Sequence, residues 1–401
     1  MSIGDAPSLA VLRAAAVPAG WTQDLRKRAL WFAIPAAVAS VAGAIVAPQA
    51  FYRAYLTGFV FWLGVPLGCL GLLLLTHMTG GSWALIMRRL LEAATRTLPL
   101  LVLLFVPVLL GLRTLYSWTD AEKVAASAIL QHKAPYLNLP FFLLRTALYF
   151  LIWGLFAFVL NRWSLEQDRT GASTLPRRLQ GAGGVGLLVF MLAGSFASFD
   201  WLMSLDPLWF SSIYGMHFVV GQAASGLCFA ILVARSLGRS QPLDRVYAPR
   251  HLDDYGKLLL AFILLWGYMT YSQYLIIWSG NLPEEITFYV RRHAGGYMVL
   301  SFVIAALHFA LPFFLLLSKS IRSNPQRLVW AAVPVFVGHW LDLVWQVAPS
   351  LDPEGPALHW LDPVVTLAIG SVWLVAFAWQ LPRRALLPQK DAHLEEALAD
   401  E

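Results

Sequence analysis

Ten long apolar runs, separated by short polar segments, dominate the pattern of the chain. A bilayer core about 30 Å thick needs roughly 20 apolar residues of helix, and most of the runs approach that length. The third run is short and contains Pro99 and Pro107, so its helix is expected to begin earlier, between residues 83 and 96. The pattern predicts an all-α polytopic membrane protein with about ten transmembrane helices. The runs are 29–47, 55–77, 98–112, 140–160, 183–199, 211–234, 258–278, 295–317, 328–347 and 364–381.

The composition supports the membrane class. Hydrophobic residues make up 58% of the chain and charged residues 13%, whereas a soluble domain carries about 25% charged residues. The formal charge is +6, but the basic residues flank apolar runs rather than form one patch, which argues against nucleic-acid binding. Cys69 and Cys228 both lie inside apolar runs, and their spacing matches no disulfide framework or metal motif.

Lys and Arg are distributed unevenly between the segments that join the runs. With a cytoplasmic N-terminus, 22 of them fall on the inner side and six on the outer side. The positive-inside rule therefore places both termini in the cytoplasm, and the bacterial inner membrane is the expected location. The division is an N-terminal cytoplasmic segment, 1–28, a transmembrane domain, 29–381, and a cytoplasmic tail, 382–401. A retained first helix is expected, since no small-residue cleavage site ends the first run.

The loops contain little predicted structure. Thr119 and Glu122 form a capping box for a short outer helix over 120–131. The acidic end of the chain, 388–401, predicts a cytoplasmic helix or a frayed end. No soluble domain and no Gly-rich phosphate loop is evident in the sequence.

Polar side chains within the apolar runs are the candidate functional residues, since each needs a partner or water at membrane depth. His339 and Asp342 are three residues apart and share a helix face, where the carboxylate is expected to hold the imidazole in one tautomer. Arg145 lies near the outer end of its helix and would either join this polar group or extend to the membrane surface. The outer group, expected to form a proton pathway or a quinone pocket, comprises Arg145, Asp200, His217, Tyr271, Gln273, His339 and Asp342.

A sparser polar set lies in the inner half and is expected to form an inner half-channel. It comprises His77, Lys257 and His308. Histidine suits a proton route because its unperturbed pKa lies near neutral pH. The alternative for each histidine is a hydrogen-bonded packing residue. No run holds two histidines of the kind that paired-histidine haem sites use, and no HExxH or Cys/His spacing indicates zinc.

Two stretches of the sequence resemble a known family. They are FASFDWLMSLDPLWFSSIYGMHFVVGQAASGL, residues 196–227, and DDYGKLLLAFILLWGYMTYSQYLIIWSGNLPEEITFYVRR, residues 253–292. Both are similar to segments of the NrfD-like membrane subunits of alternative complex III, a quinol:cytochrome c oxidoreductase, and the shorter of its two NrfD-like subunits is more similar. The stretches cover under a fifth of the chain, in matching order and position.

The resemblance implies ten helices, arranged as two four-helix bundles plus a peripheral helix pair. It implies an integral subunit of a respiratory quinol:electron-acceptor oxidoreductase that contributes a proton pathway, a quinone-side pocket or both, and anchors periplasmic redox subunits. Such a subunit would not be catalytic alone, and quinone is the one cofactor that it could bind directly. The implied partners are multihaem cytochrome c subunits and an Fe–S protein subunit, which carry haem c and Fe–S clusters, together with a sister NrfD-like membrane subunit and the lipid bilayer.

Two other functions remain open from the residues alone. Ten helices with polar groups at membrane depth and helix-breaking prolines also suit a secondary transporter, although no pair of interrupted helices occupies corresponding positions in two halves. The other alternative is the membrane anchor of a different NrfD-type enzyme, such as a polysulfide or nitrite reductase complex.

Overall fold

The computed structural model describes residues 16–239, 249–391 and 393–394. In this part of the chain, ten helices are long and apolar enough to cross a membrane and no strand occurs, which confirms the all-α polytopic prediction. The helices are α1 (Ala19–Val46), α2 (Pro48–Thr79), α3 (Arg88–Leu110), α4 (Leu139–Thr170), α5 (Leu175–Trp201), α6 (Tyr214–Leu237), α7 (Pro249–Gly280), α8 (Gly295–Leu317), α9 (Pro325–Leu351) and α10 (Leu361–Gln380).

Some sequence-based expectations fall outside the described residues. These are the parts of the orientation argument that rest on Arg13 and Arg245, the segment 1–15, and most of the acidic tail. Because the helices alternate in direction, α1 begins and α10 ends on the same side of the molecule. We call that side the terminal face and the other side the opposite face.

The helices extend beyond the apolar runs. The third helix begins at Arg88, ten residues before its run and within the interval expected for its start. It is interrupted near residues 96 and 105, because Pro99 and Pro107 cannot donate backbone hydrogen bonds to the preceding turn. α1 likewise begins at Ala19 rather than residue 29, since its polar first turns are helical as well.

The predicted outer helix over 120–131 is instead two short helices, Ala121–Ala126 and Ala128–Lys133. The cap of the first is Asp120, whose carboxylate accepts from the backbone N–H of Glu122, so the assignment of the cap to Thr119 was wrong. Thr119 donates its hydroxyl to the carbonyl of Tyr116 instead. Aspartate ranks above threonine as a cap, which explains the one-residue shift.

Two four-helix groups form the body of the protein. The first contains α2 to α5 and the second α6 to α9, and in each group consecutive helices pack and the last returns to the first. α1 packs mainly on α10, and α10 packs on α2. α2 is the most enclosed helix, because it contacts α3 and α5 in its own group, α6 and α9 in the other, and α10. This is the arrangement of two bundles and a peripheral pair that the resemblance implies.

The two groups meet where α2 crosses α6. A Cβ atom on Gly226 would lie 2.7 Å from the backbone nitrogen of Cys69 and 2.7 Å from the carbonyl carbon of Gly68. Small residues at such crossings let helix backbones approach closely, which favours association of helices in a membrane. The glycine pair therefore sets the distance between the groups.

Substitution of Gly226 by Ala should destabilise the protein by about 1–3 kcal/mol, because the methyl group meets backbone and forces α2 and α6 apart. The matched control is Gly181→Ala in α5, where no atom lies within 4 Å of the added carbon. The measurement is the temperature at which half of the detergent-solubilised chain is lost from the monodisperse chromatographic peak. Equal temperatures for the two variants would contradict the assigned role of the crossing.

Candidate functional site

A cavity of about 600 Å³ lies between α7, α8 and α9, in the half of the molecule toward the opposite face. Tyr268 and Tyr271 stand at its membrane-facing side, where their side chains are 68% and 64% exposed. Asp342 lines the inner wall and is only 4% exposed. Four more aromatic residues line the cavity, Trp266, Tyr274, Phe309 and Trp345.

Asp342 is held by residues of its own helix and of α6. The amide of Gln346, one turn further along α9, donates to Oδ2 of Asp342 at 2.7 Å. The hydroxyl of Tyr214 donates to Oε1 of the same glutamine at 2.6 Å. The expected pairing of Asp342 with His339 is therefore not what the structure shows. The carboxylate instead begins a hydrogen-bonded chain that runs toward the opposite face.

This chain ends beside a buried cation. Arg292, 1% exposed, donates to the backbone carbonyls of Gln346 at 2.8 Å and Trp345 at 3.2 Å. These carbonyls lie in the last turns of α9, where the helix dipole favours a positive charge. Burial lowers the pKa of Arg292 to about 10. The hydrogen-bonded series that begins at Asp342 thus ends beside a desolvated positive charge, Arg292, which has no carboxylate partner among the described residues.

Two histidines, His308 and His217, lie beside Trp266 on the protein side of the cavity, and a third, His339, lies beside His308. His308 stacks on the indole of Trp266 with 4.1 Å between ring centroids and an interplanar angle of 10°. The ring centroid of His339 lies 5.8 Å from that of His308, and the ring centroid of His217 lies 5.6 Å from that of Trp266. His217 also shares a 3.0 Å hydrogen bond with Thr270. His308 was expected with the inner set; the structure places it beside His339, and we call the three histidines with Trp266 the histidine cluster.

The local backbone brings His308 into the cluster. It lies in a turn of π-helix, Ala305–Ala310, within α8. Pro312 follows at i+4, and since proline has no N–H, the carbonyl of His308 loses its α-helical donor. Turns of π-helix are frequent at functional sites. On the facing helix a Cβ on Gly338 would lie 2.8 Å from the backbone nitrogen of His308, so the two helices approach closely there.

Several buried polar atoms near the cluster have no hydrogen-bond partner within the described part of the chain. They include both ring nitrogens of His339, the amide of Gln222 and the hydroxyl of Ser225. Gln222 contacts Gly64 and Gly68 of α2, and Ser225 lies one turn further along α6. Buried polar groups are almost always satisfied by protein, ligand or water. These atoms thus mark a polar strip that leads from the histidine cluster toward the terminal face.

Asp200 and Arg145 belong to the first four-helix group rather than to the cavity. Arg145 donates from Nε and Nη2 to the two carboxylate oxygens of Asp200, each at 2.8 Å. The hydroxyl of Tyr149 donates to the same carboxylate at 2.6 Å. Arg145 also stacks over the ring of Tyr136, 3.8 Å from its centroid. Asp200 is fully buried, and both of its carboxylate oxygens accept hydrogen bonds. The prediction that Asp200 lies with the histidines was therefore wrong, because its ion pair with Arg145 instead joins α4 to α5.

The remaining predicted residues are divided between these regions and the surface. Gln273 accepts from Ser211 at 2.9 Å and donates to Tyr289 at 3.1 Å, and so joins α7 to the loops of the opposite face. Lys257 is 56% exposed and pairs with Asp253 and Asp254 on its own helix. The structure therefore does not place Lys257 in a half-channel with His308.

A buried ion cluster at the terminal face was missed by the sequence reasoning. Glu92, 1% exposed, accepts from Arg88 at 3.3 Å, Arg89 at 2.6 Å and Arg384 at 3.1 Å. The hydroxyl of Ser164 donates to it at 2.6 Å. We call these five residues the Glu92 cluster. The signal was present in the spacing, because a glutamate three and four residues after two arginines pairs with both on a helix.

His77 lies beside the Glu92 cluster and lines a small cavity with Arg88. Its Nε2 atom is buried without a partner in the described residues. Asn161, 5% exposed, lies on the other side of the cluster, where it accepts from Arg384 at 3.0 Å. His77 and Asn161 therefore lie at the Glu92 cluster, whereas Lys257 and His308 do not.

The fold and these sites define an all-α, multi-pass membrane protein with an aromatic cavity that opens to the bilayer. Comparison of the chain with protein-family models and with curated proteins finds no match. Within the described ranges, no group of three or more His, Cys, Asp or Glu side chains is arranged to hold a metal ion.

Proposed function

We propose that this chain is an integral membrane subunit of a respiratory quinol:electron-acceptor oxidoreductase of the alternative complex III type. The observation that carries the proposal is the membrane-facing aromatic cavity with Asp342 in its wall. In this proposal the terminal face is cytoplasmic, the opposite face is periplasmic, and the cavity receives the head of a quinol from the bilayer.

The cavity has the size and chemistry that a quinol needs. Its volume of about 600 Å³ falls in the range of small-molecule sites, roughly 300–1,000 Å³. Aromatic rings such as Trp266 and Tyr271 offer flat apolar surfaces to a flat ring. The exposed Tyr268 and Tyr271 open the cavity to the membrane, from which a lipid-soluble quinol would enter.

Asp342 is the proposed acceptor of a quinol proton. Oxidation of a quinol to a quinone releases two electrons and two protons, and a carboxylate within hydrogen-bond reach of the hydroxyl takes up a proton as a general base. Gln346 fixes Asp342 through its amide, and Tyr214 fixes Gln346 in turn, so these two residues orient the carboxylate rather than carry its proton. In the proposal, Asp342 passes the first quinol proton to water on its way to the opposite face and then takes up the second. The two electrons leave to a redox centre of a partner subunit, for which the opposite face is the docking side.

The histidine cluster and the polar strip on α6 extend this route toward the terminal face. Histidine exchanges protons near neutral pH, and His339 and His308 lie within contact of each other. Gln222 and Ser225 continue from the cluster along α6, and His77 with the Glu92 cluster follows at the terminal face. In the proposal, water links these groups and the chain contributes a proton pathway as well as a quinol pocket.

The assembly is tested by purifying the tagged chain from its native membranes in mild detergent. Multihaem cytochromes c and a large Fe–S protein should co-purify with it, detected by haem staining and subunit identification. Recovery of the chain alone, without haem, would overturn the respiratory proposal and favour the secondary transporter. Recovery with the subunits of a different reductase, established by subunit identification, would favour another NrfD-type enzyme.

The cavity is tested in the purified assembly with Ala305→Trp. Ala305 lines the cavity from α8, so the indole should occupy part of the space for the quinol head. Overpacking of this kind costs about 1–3 kcal/mol, which corresponds to a rise of roughly 5- to 150-fold in the KM for quinol. Val299→Trp is the matched control, because Val299 is 64% exposed on the same helix and does not line the cavity. Equal KM values for the two variants would contradict the cavity assignment.

A further inference from the structure

A second cavity, of about 500 Å³, lies at the terminal face between α3, α4 and the end of α10. Its two halves differ in chemistry. One half is cationic and is formed by guanidinium groups, and the other half is apolar and faces the membrane. The cationic side chains are Arg96, Arg162, Arg383 and Arg384, and the apolar half includes Leu98, Pro99, Ala157 and Phe158.

Positive charge exceeds negative charge around this cavity. Of its four arginines, only Arg384 lies within ion-pair distance of a carboxylate in the described ranges, and that carboxylate, Glu92, is shared with Arg88 and Arg89. The neighbouring acids Asp168 and Asp391 are likewise paired with Arg89 and Arg88. Burial lowers the pKa of Arg384, and the nearby charge of Arg89 adds to that effect. The cavity therefore presents cations that the protein itself does not neutralise.

Arg96 keeps donors available for a ligand. Its Nε and Nη2 atoms donate to the side chain and carbonyl of Gln380, and Nη1 donates to Asn161. A guanidinium has five N–H donors, so two remain. All of the partners that Arg96 has are neutral, and an anionic oxygen would be a stronger acceptor than any of them.

The apolar half continues into surface that faces the bilayer. Phe158 is 61% exposed, and Leu155 on α4 and Leu103 on α3 are 55% and 68% exposed. Trp379, 50% exposed, lies under the guanidinium of Arg383, which is 3.1 Å from its ring centroid. Tryptophan and arginine at the end of a membrane helix mark the level of the lipid headgroups. The cationic half is therefore at headgroup level and the groove between α3 and α4 is at acyl-chain level.

We propose that this cavity binds an anionic phospholipid, with its phosphate held by Arg96 and Arg384 inside the cavity and by Arg162 and Arg383 at its rim, and with an acyl chain between α3 and α4. Basic pockets between membrane helices suit anionic headgroups, and guanidinium groups bind phosphate oxygens in a bidentate manner. A free phosphate would satisfy the cations but would leave the apolar half exposed, so the occupant is a lipid. The site lies between the first four-helix group and the end of α10 and does not depend on the proposed quinol function.

The test is a lipid titration of the full-length chain, in whatever assembly it is purified, followed by native mass spectrometry. The probes are phosphatidylglycerol, phosphatidylcholine and inorganic phosphate. In the variant Arg162→Gln/Arg383→Gln, both substituted residues are exposed at the rim and have no ion pair among the described residues. Arg177→Gln/Arg178→Gln is the matched control, since these exposed arginines lie on the same face outside this cavity.

The wild-type chain and the control should retain phosphatidylglycerol, and the rim variant should bind it about thirtyfold more weakly, as two juxtamembrane arginines predict. Phosphatidylcholine should bind more weakly than phosphatidylglycerol in the wild type. Equal affinity of the rim variant and the control, or equal affinity for the two lipids, would overturn the proposal. Displacement of the lipid by millimolar inorganic phosphate would also overturn it, because the site would then be one for a soluble anion.

Discussion

Quinol oxidation by the assembly should fall by at least about a hundredfold when Asp342 is replaced by Asn, as expected for loss of a general base. Asparagine has nearly the same shape, and its carbonyl oxygen can still accept the hydrogen bond that Gln346 donates to Asp342. It cannot take up a proton from a quinol hydroxyl. The variant should therefore assemble normally while both turnover and proton release decrease.

The measurement combines the steady-state rate of quinol oxidation with the number of protons released per electron. Glu284→Gln is the control, because this exposed carboxylate lies in the first turn of the short helix Pro283–Arg292 at the opposite face, outside the cavity. Subunit composition, measured on each preparation, separates a catalytic effect from a failure of assembly. An assembled Asp342→Asn variant with unchanged rate and unchanged proton release would remove Asp342 from the mechanism.

The fold was predictable from the sequence because one effect dominates each span, the burial of apolar side chains in the bilayer core. An apolar run of about 20 residues has few alternatives to a membrane helix, and the ten runs correspond to ten helices. The early start of α3 was also predictable, since Pro99 and Pro107 shorten the run without ending the helix. The arrangement of the helices in two bundles was implied only by the family resemblance, because the hydrophobic pattern of a sequence does not show which helices pack together.

The partners of the polar residues were less predictable. His339 and Asp342 share a face of α9, yet Asp342 pairs with Gln346 one turn away, which is equally close along the helix. His308 was assigned to the inner half from its position in the run, but the π-helical turn directs it to Trp266 and His339. Helix spacing says which side chains are neighbours on one helix and gives no information on what the facing helix presents.

Arg145 illustrates the same point between helices. The sequence left two outcomes, a polar partner or extension to the membrane surface. The structure shows the first, because Asp200 on α5 lies opposite and accepts two hydrogen bonds. An ion pair between residues 55 positions apart is not visible in any local pattern.

Substitution of Glu92 by Gln should destabilise the protein strongly, by about 3–5 kcal/mol, as expected when one partner of a buried ion pair is removed. Glu92 is the shared acceptor of Arg88, Arg89 and Arg384, all of them buried or half-buried. Arg88 and Arg89 retain Asp391 and Asp168, but Arg384 has no other carboxylate among the described residues. The neutral variant should accumulate poorly in membranes and lose its monodisperse peak at a much lower temperature.

Two further variants separate charge balance from simple loss of packing. Glu166→Gln removes an exposed carboxylate from α4, the helix that supplies Ser164, and should leave the melting temperature unchanged. The double variant Glu92→Gln/Arg384→Gln also removes Arg384, the cation that the single variant leaves without a carboxylate partner among the described residues, so it should recover part of the lost stability. A double variant that is less stable than Glu92→Gln would show that Arg384 acts through its hydrogen bonds to Asn161 rather than through its charge. Partial recovery would identify Glu92 as the group that allows three guanidinium groups to remain buried where α3, α4 and α10 meet.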